Sequence, residues 1–494
     1  MKSLDALHLL LTALALATKA ASTPRTIETD VVVVGGGLSG LTSAYQLHKA
    51  GIQTVVLEAR DALGGKSRSK DLGGGRIIEL GATWINNKTQ EHVYNLTRLF
   101  GLETAVQYIA GDAVFQGSDG RVTRLPEGYP FNTQDEDAAL LEGLALGTIH
   151  NASLEVDLHN FDAFPADQDV SVAEWLAGQM FGQHPHIVDL VAHLSTALVG
   201  REPEEIGMHY LLDYIGSGGG VESLATDDEQ GAQYLKIKNG TTAIVTSLAA
   251  TLPADRIHLS SPVISIESTK PKPGAVVTIK SGQRFHAKRV ILAIPTNTYK
   301  DVVFSPALPA GKQALLSASK PGIYAKAVLS YRSAWWREAR LAGKFTSRAA
   351  AGPVCFSWDT SDAAAGQHSL AVFIAGAKAA AWHALPGDGA RVAAVVEHLA
   401  ALVGGAGPLA EAARDTLRVD FVEWTTEGWL EGAPTGSLGP GFLREHGHAL
   451  REPFGPLHFG GGETAFEWKG YLEGAVRAGE RVAQEVEEVL GCGK

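Results

Sequence analysis

Short apolar runs separated by glycine turns mark both ends of this chain, and a less regular stretch lies between them. Val31 to Val34 is a continuous β-branched run, the pattern of a strand covered on both faces. Leu38 to about Ala50 reads as a helix, and Thr54 to Leu57 is a second β run that ends on Glu58. Strand, helix and strand in that order predict a parallel βαβ unit. A further β-like run spans Arg76 to Leu80. From about Leu102 to Gln233 the pattern is irregular and reads as a mostly helical insertion. After Tyr234 short elements return, with a helix from Ala243 to Leu252 and strands at Ile257–Leu259, Val263–Ile266, Ala275–Ile279 and Val290–Ile294. Tyr324 to Tyr331 is an apolar strand that contains Lys326, and the Ala-rich stretch Gly389–Leu402 reads as a packing helix. After Phe421–Trp424 the C-terminal part reads as a strand at Leu457–Phe459, a glycine turn, and a helix that begins near Gly470. At 494 residues the chain is too long for one core, so an α/β protein of at least two domains is expected.

Chemistry enters with the glycines of the first unit. Gly35, Gly37 and Gly40 stand in G-x-G-x-x-G spacing directly after the strand. Gly35 allows the sharp turn, Gly37 lets a pyrophosphate approach the backbone, and Gly40 lets helix and strand pack closely. The free N–H groups of the helix start then face the phosphates. Glu58, about twenty residues beyond the last glycine, is placed to accept hydrogen bonds from ribose hydroxyls. The unit predicts an adenine dinucleotide site without separating NAD from FAD. Arg60 and Gly64-Gly65-Lys66 follow at once, and read as a second phosphate-contacting loop.

Charge and composition narrow the partners. The net charge is −12, which repels polyanions and argues against nucleic acid. Two cysteines, Cys355 and Cys492, imply no disulfide framework and no metal cluster, and leave their pairing open. The five histidines between His150 and His193 do not form metal spacing. Residues 1–21 read as a secretory signal, with Lys2 before an apolar run too short to span a bilayer comfortably. Four N-x-[ST] sequons, at Asn87, Asn95, Asn151 and Asn239, agree with a secreted protein. No later segment is long and apolar enough for a membrane helix, and no membrane anchor is expected. The sequence does not fix the oligomeric state, a homodimer being one option.

The C-terminal part carries a second signature. Leu457-His458-Phe459-Gly460-Gly461-Gly462-Glu463-Thr464 runs from a strand into a glycine turn, and Trp468-Lys469-Gly470-Tyr471-Leu472-Glu473-Gly474-Ala475 opens a helix. Such a helix start offers free N–H groups and a positive dipole end to an anion. Lys326 is the other anomaly, since a lysine buried in a sheet is costly without a partner or a water.

Together, VVVVGGGLSGL, LEARDALGGK, IIELGATW and this C-terminal run resemble the FAD-dependent amine oxidases of the monoamine oxidase family. The resemblance covers Asp30 to Leu490, with a divergent region at about 105–235. It implies a Rossmann-like FAD domain in three pieces, 26–104, 235–318 and 421–494. A substrate domain of mixed sheet and helices would come from 105–234 and 319–420. It implies FAD contacts from Gly35, Gly37, Ser39 and Gly40, from Glu58, Ala59, Arg60, Gly65 and Lys66, and from Gly81, Ala82, Thr83 and Trp84. Val263 matches a segment that meets the adenine edge, and Gly462, Glu463, Tyr471, Leu472 and Ala475 match the flavin end. Lys326 matches a lysine that holds a water against flavin N5, and Tyr471 matches one wall of an aromatic cage.

Three departures from the family pattern stand out. Lys66 replaces the usual arginine of the G-G-R motif. Ala433 stands where mammalian monoamine oxidases carry a cysteine bonded to FAD, so FAD is expected to be non-covalent. Pro434 replaces the second cage tyrosine, and Trp84 is the candidate for the missing wall. The resemblance implies oxidative deamination of a small-molecule amine with O2 as acceptor. Ala82-Thr83-Trp84 offers no cation for an amino-acid carboxylate. The phrase Leu80–Asn86 is similar to secreted oxidases of fumonisin-type long-chain amino alcohols. Alternatives are a polyamine oxidase, a flavin desaturase or protoporphyrinogen-type oxidase, and a non-catalytic flavin-binding protein.

Overall fold

The computed structural model describes residues 26–128, 132–270 and 273–491. Strand Ile27–Val34 lies inside an eight-stranded sheet. It pairs in parallel with Thr54–Leu57 on one side and with Arg284–Leu292 on the other, Val33 facing Val56 and Ile291. The unbroken valine run is explained by the two layers that cover it. Val31 and Val33 pack with the helices Leu38–Lys49, Thr242–Ala250 and Leu472–Leu490. Val32 and Val34 pack with Val277, Phe285, Tyr299 and Phe459 on the opposite face. Each such side chain removed from water contributes roughly 2 kcal/mol. Strand Leu457–Phe459 joins the same sheet in parallel beside Arg284–Leu292.

Helix Leu472–Leu490 buries Leu472, Val476, Gly479, Ala483 and Val486, the spacing of one helical face. Gly479 permits the close crossing with helix Leu38–Lys49, because a Cβ there would overlap the Ser39 carbonyl oxygen. The two ends of the chain are thereby packed into one domain.

The second sheet has seven strands in the order Arg418–Glu423, Tyr324–Tyr331, His368–Ala375, Phe356–Asp359, Leu341–Ser347, Asp112–Gln116 and Val122–Leu125. Helices Gly376–His383, Gly387–Leu402 and Pro408–Arg414 pack with it in one core, and the helices between 136 and 225 form a separate core. The insertion after residue 102 is therefore helical only from Glu136; before that it supplies strands. Two expected domain limits fall inside strands. Thr104–Val106 pairs with Leu235–Ile237, and Arg418–Glu423 pairs with Tyr324–Tyr331. A hydrogen-bonded strand belongs whole to its sheet, so both limits move into the loops that follow.

Cys355 is a buried free thiol. The expected signal segment and Cys492 lie outside the described residues. Among the described residues no helix is long and apolar enough to cross a membrane.

Candidate active site

An open cleft of about 660 Å³ lies at the carboxyl ends of the parallel strands. Of the expected cofactor residues, Gly35, Gly37, Glu58, Ala59, Arg60, Gly65 and Val263 line it. Gly35 has φ +107°, and a Cβ there would sit 2.7 Å from the Ala293 carbonyl oxygen. A Cβ on Gly40 would overlap the Gly35 oxygen. Gly37 differs from both: its Cβ would enter open cleft, with Gly65 Cα the nearest atom at 4.0 Å. Gly37 also caps helix Leu38–Lys49 with no side-chain bond, and the first turn carries no acid. An unfilled cradle beside uncapped N–H groups suits a pyrophosphate. Glu58 is 6% exposed and fixed at the lip, accepting from Gly36 N at 2.7 Å and Arg60 N at 2.8 Å. Burial pushes its carboxyl up, and those two hydrogen bonds oppose the push. The residues present therefore fit FAD.

Lys326 is 2% exposed, in a strand buried along its whole length. Its ammonium donates to Gly81 O at 2.8 Å and Thr83 Oγ1 at 2.6 Å. Gly81 is required there, since a Cβ would overlap the Lys66 carbonyl. Behind this turn, Glu79 accepts from Thr241 N at 2.5 Å and from Ser69 Oγ at 3.0 Å, while Thr241 Oγ1 also reaches Ala82 O at 3.2 Å. The Gly81–Thr83 turn is thus held from one side by a buried lysine and from the other by a half-buried acid. Burial lowers the proton affinity of Lys326 against the pull of Glu79, and raises that of Glu79.

Aromatic rings extend from Lys326. Its ammonium lies over Phe373 at 4.9 Å and over Trp84 at 5.6 Å. Phe373 stacks on Phe356 at 4.9 Å and meets Tyr324 edge-on at 6.2 Å; Trp358 joins Trp84 at 4.9 Å. Tyr471 meets Trp468 at 5.3 Å and Tyr214 at 6.3 Å. Burial raises the phenols of Tyr471, Tyr214 and Tyr324 far above their ordinary range, yet Tyr471, Phe356, Trp358 and Phe373 keep accessible surface. These partly exposed rings are the candidate walls of a substrate chamber.

The remaining expected residues are more dispersed. Lys66 donates to Pro434 O at 2.9 Å and pairs with Glu463 at 3.2 Å, and is not among the cleft-lining residues. The shorter ammonium finds a carboxylate at the C-terminal turn, which a phosphate-facing lysine would leave unpaired. Ser39 is buried and its hydroxyl bonds the Gly460 carbonyl. Gly462 faces open space, and Leu472, Ala475 and Ala82 pack in the core beneath the cleft. Trp84 contacts Phe373 and Trp358, with its indole N–H on Gln107 at 2.8 Å, and makes no direct ring contact with Tyr471 among the described residues. Tyr324, Phe373, Trp358 and Tyr214 were not singled out from sequence. Tyr324 was within reach, because it lies two residues before Lys326 and so shares its face of the strand.

A dinucleotide cleft, together with a buried lysine set among aromatic rings, points to a flavoprotein oxidoreductase. The family model for flavin-containing amine oxidoreductases matches residues 38–487. AofH of Mycobacterium tuberculosis, provisionally named a flavin-containing monoamine oxidase, is 32% identical over 93% of this chain and 97% of its own length. Flavin-containing amine oxidase B of Sus scrofa is 27% identical over 94% of this chain and 86% of its own. Among solved structures, a putrescine oxidase with putrescine bound has a TM-score of 0.85 at 27% identity, covering 94% of this chain and 100% of that one. Cyclohexylamine oxidase from Brevibacterium oxydans IH-35A also has a TM-score of 0.85 at 27% identity, covering 94% and 99%. The chain belongs to the flavin-containing amine oxidoreductase family. It is an amine oxidase, and FAD is its cofactor.

Proposed function

We propose that the enzyme oxidises a primary monoamine carried on an apolar chain, using FAD held without a covalent link. In net terms amine, O2 and water give aldehyde or ketone, ammonia and H2O2. FAD, when bound, accepts the hydride from the amine carbon and passes the electrons to dioxygen. The protein's own part is position and environment. Phe356, Trp358, Phe373 and Tyr471 surround the amine with low-dielectric wall, which disfavours the ammonium and favours the neutral, reactive amine. Lys326, locked by Gly81 and Thr83, is assigned to hold one water at the flavin edge of the chamber.

The observation that carries the monoamine reading is the pairing of the nearby buried acids. Asp213 pairs with Lys469, Asp227 with Lys344 and Glu142 with Arg348. Each of these three acids is engaged by a cation, which leaves it less able to receive a polyamine's second ammonium. Long-chain amino alcohols of the fumonisin type fall within this substrate class. A peroxide-coupled screen of monoamines, diamines, polyamines, amino acids and long-chain amino alcohols tests the reading. Peroxide from monoamines is expected; peroxide only from polyamines, or from none, overturns it. Ala433 supports untethered FAD, and acid-precipitated protein should release all its yellow colour to the supernatant.

Export of the protein is also proposed. All four sequon asparagines, Asn87, Asn95, Asn151 and Asn239, are exposed. Secreted material should lose its leader on N-terminal sequencing and lose mass with an N-glycosidase.

A further inference from the structure

The ring wall does not end at Phe356. The imidazole of His193, in helix Pro185–Val199, meets Phe356 edge-on at 6.1 Å between centroids. Touching rings therefore lead from Lys326 across Phe373 and Phe356 to His193. Tyr324 fixes the helix in place, its hydroxyl donating to Ala197 O at 2.9 Å. His193 lies one helical turn before Ala197, on the same face. Among the described residues neither ring nitrogen of His193 has a hydrogen-bond partner, and the ring keeps accessible surface.

The surroundings keep this ring neutral. Burial, helped by Arg348 and Lys378, pushes its imidazolium down to about 3. One nitrogen therefore donates and the other accepts. The charges acting on the ring are both positive. Arg348 pairs with Glu142 at 3.1 Å, while its Nε and Nη1 are buried without a partner. Lys378 donates to the carbonyls of Ser347 at 2.9 Å and Val354 at 3.1 Å, with no carboxylate. Glu142 and Asp189 offset part of the Arg348 charge, but no acid is among the charges that shift His193. A second ammonium reaching this end meets repulsion in a poorly screened interior. An oxygen that accepts a hydrogen bond meets an imidazole N–H and a favourable field.

We propose that His193 reads the far end of the substrate, so that the chamber selects amines bearing a distal hydrogen-bond-accepting oxygen over diamines. This rests on the amine-oxidase substrate reading above and narrows it. The test compares four amines of equal chain length: an alkylamine, an ω-amino alcohol, an ω-amino acid and a diamine. In the wild type, kcat/KM for at least one oxygen-bearing amine should exceed that of the alkylamine by about tenfold, and the diamine should fall below the alkylamine. A preference for the amino acid assigns the larger share to Arg348 and Lys378, and a preference for the amino alcohol assigns it to the imidazole; either supports the proposal. His193→Phe should bring the oxygen preference towards one, and His193→Gln, which keeps a donor and an acceptor, should retain it. A diamine used as well as the alkylamine overturns the proposal. So does an equal loss on all four amines in both variants. If His193→Phe does not fold, the wild-type order and His193→Gln still decide. Peroxide from none of the four would instead overturn the underlying substrate reading.

Discussion

Lys326 donates to a carbonyl and a hydroxyl on one side of the tight Gly81–Thr83 turn. Methionine of similar length would keep the packing and lose both bonds. Lys326→Met is expected to retain bound FAD, because the cleft residues are untouched, while amine turnover falls by ~100-fold. Stopped-flow absorbance under anaerobic amine reads the flavin step directly, and unchanged turnover removes Lys326 from its assigned role. A second buried lysine tests electrostatics away from the site. Lys312 bonds the Ala449 carbonyl and lies over the Phe459 ring at 3.4 Å. Burial pushes its ammonium down to about 7, below the ordinary 10.5. The unfolded chain then holds that proton more tightly, so stability falls as pH drops from about 10.5 to about 7 and levels off below. Relative to Lys312→Met, the wild type should therefore gain stability as pH rises from 7 to 10. Paired thermal melts at both ends of that window check the sign, and parallel curves would contradict it.

At the scale of elements, the three glycines of the first turn have separate tasks, and alanine should separate them. Gly40 is pressed against the Gly35 carbonyl, so Gly40→Ala must push the Leu38–Lys49 helix off its strand. Loss of folded protein is expected, seen as a collapsed melting transition in the apoprotein. Gly37 opens on the cleft, so Gly37→Ala should leave the apoprotein melt within a degree or so and weaken FAD at least tenfold by fluorescence titration. Equal effects of the two substitutions would mean that the cleft is not the pyrophosphate cradle. This contrast explains what was readable along the chain. A glycine turn and its acid, Gly35 to Glu58, are local, and Lys326 is conspicuous as a charge in an apolar run. The partner of Lys66 is not local: Glu463 comes from the other end of the chain, so a lysine beside glycines read as a phosphate ligand. Phe356, Phe373 and Tyr324 form one wall only because their strands pair in an order that alternating apolar residues do not encode.

At the scale of the molecule, the cofactor domain is closed by its last helix. Strand Ile27–Val34 needs Arg284–Leu292 beside it, and helix Leu38–Lys49 needs Leu472–Leu490 across it. Glu473 ties these pieces together. It is fully buried and accepts from Val93 N at 2.8 Å and His92 N at 3.3 Å, capping helix Glu91–Leu99 from another part of the chain, while Arg477 donates to it at 2.7 Å. A carboxylate placed there answers the helix N-terminus and the guanidinium at once. Glu473→Ala removes both and leaves two helix-start N–H groups buried, at a cost of about 2–3 kcal/mol. Glu473→Gln keeps one acceptor and should recover part of that loss. Because Tyr471 and Leu472 precede Glu473 directly, the loosening should reach the chamber wall, so the alanine variant should melt earlier and release FAD at a lower temperature in the same transition. Separate transitions for FAD release and unfolding would show that the C-terminal helix does not bind the two ends of the chain into one cooperative unit.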